Sequence, residues 1–184
     1  SLEEISKTDV VKSLHEASFF ANKVKQLSML ITKADIVNLK SKVRVDVIKY
    51  IEEYLSNFKM TLSIDVYKSD VSTEWRMLSL LDIAIVLDNL ISNSKKNGAQ
   101  AIGIYFKKED GKLIMDFSDD GEGVDLNVYT PETIFTVGVT DKRGGAGIGL
   151  HTIRFTMENQ LNGSVIFAGN GLNGYKGATF RLYF

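Results

Sequence analysis

The chain has 184 residues, no cysteine, one proline and a formal net charge of −1. A content of 44% apolar and 24% charged residues is that of an ordered globular protein, long enough for one substantial domain and a helical appendage. The near-neutral balance, with a pI near 6.1, excludes bulk attraction to nucleic acid or to an anionic membrane. The lack of cysteine excludes disulfides and thiolate metal sites, and no apolar run approaches the ~20 residues of a membrane span.

In chain order, Leu14, Ala17, Phe20, Val24, Leu27 and Ile31 recur by threes and fours and predict a helix over Thr8–Lys33. Neither glycine nor proline interrupts the chain before Gly98, so the first half reads as mainly helical apart from one strand. A second helix is predicted over Val45–Phe58. The alternation of Leu62, Ile64 and Val66 then predicts a half-buried strand over Thr61–Tyr67. Ser69–Thr73 reads as a turn. A third helix is expected over Glu74–Lys96, with Leu80, Ile83, Leu87 and Leu90 as its inner stripe and Gly98 as its C-terminal stop.

Two strands, Ala101–Lys107 and Lys112–Ser118, flank the hairpin signal Asp110-Gly111. A long loop without periodicity covers Asp119–Arg143. After Gly144-Gly145-Ala146-Gly147-Ile148-Gly149-Leu150, a helical stripe of Ile148, Leu150, Ile153 and Met157 follows. Strands over Ser164–Ala168 and Ala178–Phe184 close the chain, joined by the turn Gly169–Gly177. Helices falling between pairs of strands predict an α+β two-layer sandwich, a mixed sheet with helices on one face.

Several clusters carry chemistry. Gly145, Gly147 and Gly149 at alternate positions before a helix aim backbone N–H groups at one point, which suits phosphate; a plain tight turn uses the same residues. Asn89, Asn93 and Lys96 share one helix face, offering an amide oxygen for a hard cation and donors for phosphate, or else forming a solvated face. Apolar residues cover most of that helix up to Leu90, so Asn89 and Asn93 are expected to be at least partly enclosed. Asp119-Asp120-Gly121-Glu122-Gly123 follows a strand directly. Its first carboxylate would repel phosphate but can accept from an exocyclic amine; an acidic turn is the plainer alternative.

The order of these motifs resembles the GHKL superfamily of ATP-binding domains. This superfamily includes sensor histidine kinases, gyrase, heat-shock chaperone ATPases and MutL proteins. The resemblance spans roughly Val45–Phe184 and implies a Bergerat fold, the α+β two-layer sandwich, with residues 1–44 as an N-terminal helical segment and 45–184 as the ATP-binding domain. It implies ATP and Mg²⁺ as cofactors. Asp119 would take the adenine amino group, with Gly121 and Gly123 beside the base. Asn93 would hold Mg²⁺, with Asn89 and Lys96 at the phosphates. Phe135 would anchor an ATP lid over Asp125–Arg143, in which Thr140 and Lys142 reach the nucleotide. Gly145, Gly147, Gly149 and Leu150 would surround the phosphates at the helix start.

Hydrolytic members of the superfamily place a glutamate four residues before the magnesium asparagine; here that position is Asn89, which has no useful basicity. Asp88 is adjacent, but one residue turns a helix by about 100°. The histidine-kinase branch is therefore favoured, with transfer of the γ-phosphoryl group to a protein histidine in a two-component system; the alternative is an ATP-gated switch or ATPase module of a larger protein. His15-Glu16 supplies the candidate phosphoacceptor, without the proline that commonly follows in kinases. His151 reads as a packing or helix-start residue. Asn97 departs from the aromatic or histidine of many kinases. The partners implied are a second copy through the N-terminal helices and a response-regulator receiver domain, with no nucleic acid. The location expected is the cytoplasm, with a longer, membrane-attached protein of which this is the cytoplasmic part as the alternative.

Overall fold

The computed structural model describes residues 41–137 and 147–184, all within the compact unit Lys40–Phe184. The predicted helix Thr8–Lys33 with His15, and the stretch holding Thr140, Lys142 and Gly145, lie outside the described residues.

Two helices start later than their periodicity suggests, and short strands precede both. Strand β1 (Val43–Asp46) leads into α1 (Val47–Ser56), after which come β2 (Ser63–Lys68) and β3 (Trp75–Leu78), and β3 leads into α2 (Leu80–Lys96). β1 and β3 pair antiparallel, from Val43 opposite Leu78 to Asp46 opposite Trp75. Among its described residues the first half thus holds three strands rather than one.

The caps explain the late starts. Asp46 is extended, and its carboxylate accepts from the N–H of Lys49 at 3.5 Å and of Glu74 at 3.1 Å. Ser79, also extended, accepts from the N–H of Asp82 at 3.2 Å. A side chain that satisfies an orphan N–H of the first turn sets where a helix begins. Four-residue alternations such as Trp75-Arg76-Met77-Leu78 run into the helical stripe without a visible break.

The main sheet adds β4 (Ala101–Glu109), β5 (Lys112–Asp119), β6 (Ser164–Asn170) and β7 (Ala178–Tyr183), in the order β2-β4-β5-β7-β6. β2 runs parallel to β4 and the other pairs are antiparallel, which makes the mixed sheet expected. β4 turns into β5 at Asp110 (φ 50°) and Gly111 (φ 75°), the mirror-image turn whose twist suits a hairpin.

Register sorts the two faces. Val66, Ile104, Phe117, Phe180 and Phe167 lie side by side across the sheet, and the last four are buried. Burying each such side chain contributes about 1.5–3 kcal/mol. On the opposite face Tyr67 stacks on Tyr105 at 4.5 Å, and Arg181 grips Asp116 through two hydrogen bonds of 2.7 and 2.8 Å. These bonds lift the guanidinium pKa above its already high value.

The third helix, α3 (Gly149–Asn159), buries Ile153, Thr156 and Met157. Ile148, expected on that stripe, is instead the exposed residue just before the helix, 52% accessible. The whole is the α+β arrangement predicted, a layer of helices against a mixed sheet.

Candidate functional site

The motif residues converge because β5 ends beside α2 and α3 begins beside α2. Asp119 closes β5 and is only 3% accessible. Its Oδ1 accepts from the N–H of Gly121 at 3.0 Å and of Ala178 at 3.3 Å. Its Oδ2 accepts from the Ser94 hydroxyl at 2.7 Å. Asp120, next in the chain, is used for structure: its Oδ1 accepts from the N–H groups of Gln100 and Ala101 at 2.8 and 2.9 Å.

Two glycines make room for this carboxylate. A β-carbon on Gly121 would lie 2.8 Å from the Asn97 carbonyl oxygen. One on Gly177 would overlap Asp119 Oδ1 and lie 2.6 Å from the Asp119 carbonyl oxygen. The Gly177 N–H also donates to that carbonyl at 2.8 Å. Ser94 and Gly177 were not singled out from the sequence. Ser94 is one more polar residue on a helix, and Gly177 one more glycine in a turn; only the fold sets them on Asp119.

Gly123 opens the stretch that follows, with φ +77° and the Asn170 amide where a side chain would go. Asn170, at the end of β6, accepts from the Val124 N–H at 2.9 Å and donates to the Val124 carbonyl at 2.8 Å, as a neighbouring strand would. Further on, Phe135 is 2% accessible, edge-on to Phe180 at 6.2 Å between centroids, with the Arg154 guanidinium 4.0 Å above its ring. The segment between is therefore tied down at both ends.

At the other end of the site, Asn89 and Asn93 are half-buried where α3 starts. A β-carbon on Gly149 would stand 3.2 Å from Asn93 Oδ1 and 3.4 Å from Asn89 Oδ1. The Asn89 amide donates back to the Ile85 carbonyl at 2.7 Å, whereas Asn93 Nδ2 is buried with no hydrogen-bond partner among the described residues. A buried donor left unpaired costs about 1–3 kcal/mol, so it marks a place where a ligand atom gains free energy. Among the described residues no side chain caps α3 and no acid sits in its first turn, so its first-turn N–H groups and its dipole favour an anion.

Gly147 (φ +64°) precedes this turn and Leu150 is half-buried within it. Lys96 is exposed in the last turn of α2. His151 lies half-buried in the first turn of α3, 6.5 Å from the exposed Phe155 ring to ring. Asn97 ends α2, and its carbonyl accepts from the Glu122 N–H at 3.0 Å.

Asp88 faces elsewhere. It is buried, and its Oδ1 accepts from the Tyr54 hydroxyl of α1 at 2.6 Å. Among the described residues, no group of three or more His, Cys, Asp or Glu side chains could hold a metal ion, and no helix is long and apolar enough to cross a membrane.

A buried acceptor at one end and an unpaired amide with helix N–H donors at the other thus lie within a two-layer α+β frame. The chain belongs to the Histidine kinase-, DNA gyrase B-, and HSP90-like ATPase family, whose model matches residues 80–184.

Its fold is similar to that of the nucleotide-free catalytic domain of histidine kinase ThkA, with a TM-score of 0.62 and 20% identity over 77% of this chain and 93% of that one. The mycobacterial sensor histidine kinase MprB aligns with a TM-score of 0.58 and 14% identity over 78% of this chain and 96% of that one. The Acinetobacter baumannii histidine kinase AdeS aligns over 100% of this chain and 87% of its own, with a TM-score of 0.61 and 15% identity. No curated protein matches the sequence.

Proposed function

We propose that this chain binds Mg·ATP and passes its γ-phosphoryl group to a protein histidine. The observation that carries the reading is what stands around Asn93. Four residues before it is Asn89, an amide already bonded to its own helix, and the neighbouring carboxylate, Asp88, is held by Tyr54. An amide has no useful basicity and Asp88 is engaged with Tyr54, which supports a site that keeps bound ATP for a nucleophile other than water.

In this reading Asp119 accepts the adenine amino group and Gly121 and Gly123 let the base approach. Gly147 and the start of α3 at Gly149 and Leu150 meet the phosphates, helped by Lys96 and Asn89. The unpaired buried amide of Asn93 suits a role beside cation and phosphate. Asn93, with Asn89 and Lys96 near it, would hold Mg²⁺ together with the nucleotide's phosphates, and the ion would supply charge neutralisation there. Thr140, Lys142 and Gly145 belong to the same lid and phosphate loop by their place in the motif order. Residues 1–44 form the segment with the candidate acceptor His15 and the dimer contact. A receiver domain takes the phosphoryl group onward, in the cytoplasm, as suits relatives that are named histidine kinases.

The missing base equally suits a module in which unhydrolysed ATP controls a partner. The test is incubation with ATP labelled at the γ-phosphate, alongside His15→Ala. Label stable to base, lost in acid and absent from the variant supports the kinase reading. ATP binding without label supports the switch.

A further inference from the structure

We infer that Ser94 is the residue that makes the site selective for a 6-amino purine. The inference rests on the reading of Asp119 as the acceptor for the base and goes beyond it, because the discrimination is assigned to a residue of α2.

Ser94 is 2% accessible and lies one residue beyond Asn93. A buried serine inside a helix commonly bonds back to a carbonyl of its own preceding turn. Ser94 instead spends its single proton on Asp119 Oδ2, 25 residues away. The other oxygen, Oδ1, already faces two backbone N–H groups, those of Gly121 and Ala178, which can only donate. Oδ2 therefore holds the one lone-pair direction left to a ligand, and the Ser94 hydroxyl decides which direction that is.

A carboxylate clamped on three sides cannot swing to suit a different base. It offers acceptance only, which pairs with an amino group and repels a 6-oxo oxygen. A site built around a fixed hydrogen-bonding group rejects the mismatched analogue far more strongly than an apolar pocket does. Helix α2 also carries Asn89 and Asn93, which meet the start of α3. One rigid helix thereby sets the base acceptor and the phosphate end in register.

The experiment is calorimetric titration of the whole chain with Mg·ATP and with Mg·ITP, for the parent, Ser94→Ala, Ser94→Thr and Asp119→Asn. Thermal unfolding of each protein without nucleotide is measured alongside. The parent is expected to prefer ATP. Ser94→Ala should weaken ATP about tenfold, the loss of one hydrogen bond to a charged group, and ITP far less, so that the preference narrows. Ser94→Thr, which keeps the hydroxyl, should restore it.

If Ser94→Ala keeps the parent's ATP-to-ITP ratio while Asp119→Asn loses ATP, the role of Ser94 is overturned and the reading of Asp119 stands. Equal loss of both nucleotides together with a fall in unfolding temperature makes Ser94 merely structural, which also overturns it. A parent that binds neither nucleotide overturns both.

Discussion

Tyr54 and Asp88 join α1 to α2 through a hydrogen bond of 2.6 Å, and both are buried. The acid next to Asn89 is thus engaged in packing two helices. Asp88→Asn should leave the background rate of phosphate release from ATP unchanged; a tenfold fall would make Asp88 a base after all. Tyr54→Phe should cost about 1–3 kcal/mol in urea unfolding by leaving a buried acceptor short of its donor, with ATP affinity intact.

The same pair predicts a response to pH. Burial, then the hydrogen bond to Asp88, pushes the Tyr54 hydroxyl pKa well above the ordinary tyrosine value, and burial, then the charge of Asp88, does so for Tyr50. Both protons stay on in the folded protein after they leave the unfolded chain. The stabilisation is therefore complete below about pH 10 and is lost as pH rises beyond it toward the folded values. Urea midpoints should fall above pH 10, and less steeply in Tyr54→Phe.

Gly177 tolerates no β-carbon. Gly177→Ala forces methyl against Asp119 Oδ1 and within 2.7 Å of the Gly121 nitrogen, an overpacking that costs about 1–3 kcal/mol, and ATP binding should be lost in calorimetry. Gly171→Ala is the comparison. It has open space around it and only a positive φ of 73°, so it should lower stability by about 1–2 kcal/mol and leave affinity as it was.

Asp119→Asn is expected to fold and to change what the site accepts. The amide oxygen stays toward the N–H groups of Gly121 and Ala178, which puts Nδ2 in place of Oδ2. Ser94 can then accept instead of donate, so no buried group is stranded. ATP should lose at least tenfold in affinity and ITP should gain, read by titration with both; retained ATP affinity would remove Asp119 from the base site.

Asn170 holds both the N–H and the carbonyl of Val124. Asn170→Ala should free the start of the following loop, weaken ATP about tenfold and speed proteolysis between residues 125 and 137, with the unfolding temperature little changed. Unchanged cleavage and affinity would show that Phe135 alone secures that segment.

By itself the sequence determined what repeats locally or is spelled out in residue types. The hairpin at Asp110-Gly111, the stripes of α1 and α2, the α+β class and the order of Asn89, Asn93, Asp119 and the glycines were all legible, because helix and strand periods act over three or four residues. Only the tertiary structure decided where the helices begin, since Asp46 caps α1 while also reaching Glu74, 28 residues on. It also decided that Ser94 and Ala178 clamp Asp119 across separations of 25 and 59 residues, that Asn170 reaches back 46 to Val124, and that Asp88 belongs to Tyr54. A hydrogen bond depends on where two groups meet in space, and the pairing of strands far apart in the chain brings them there.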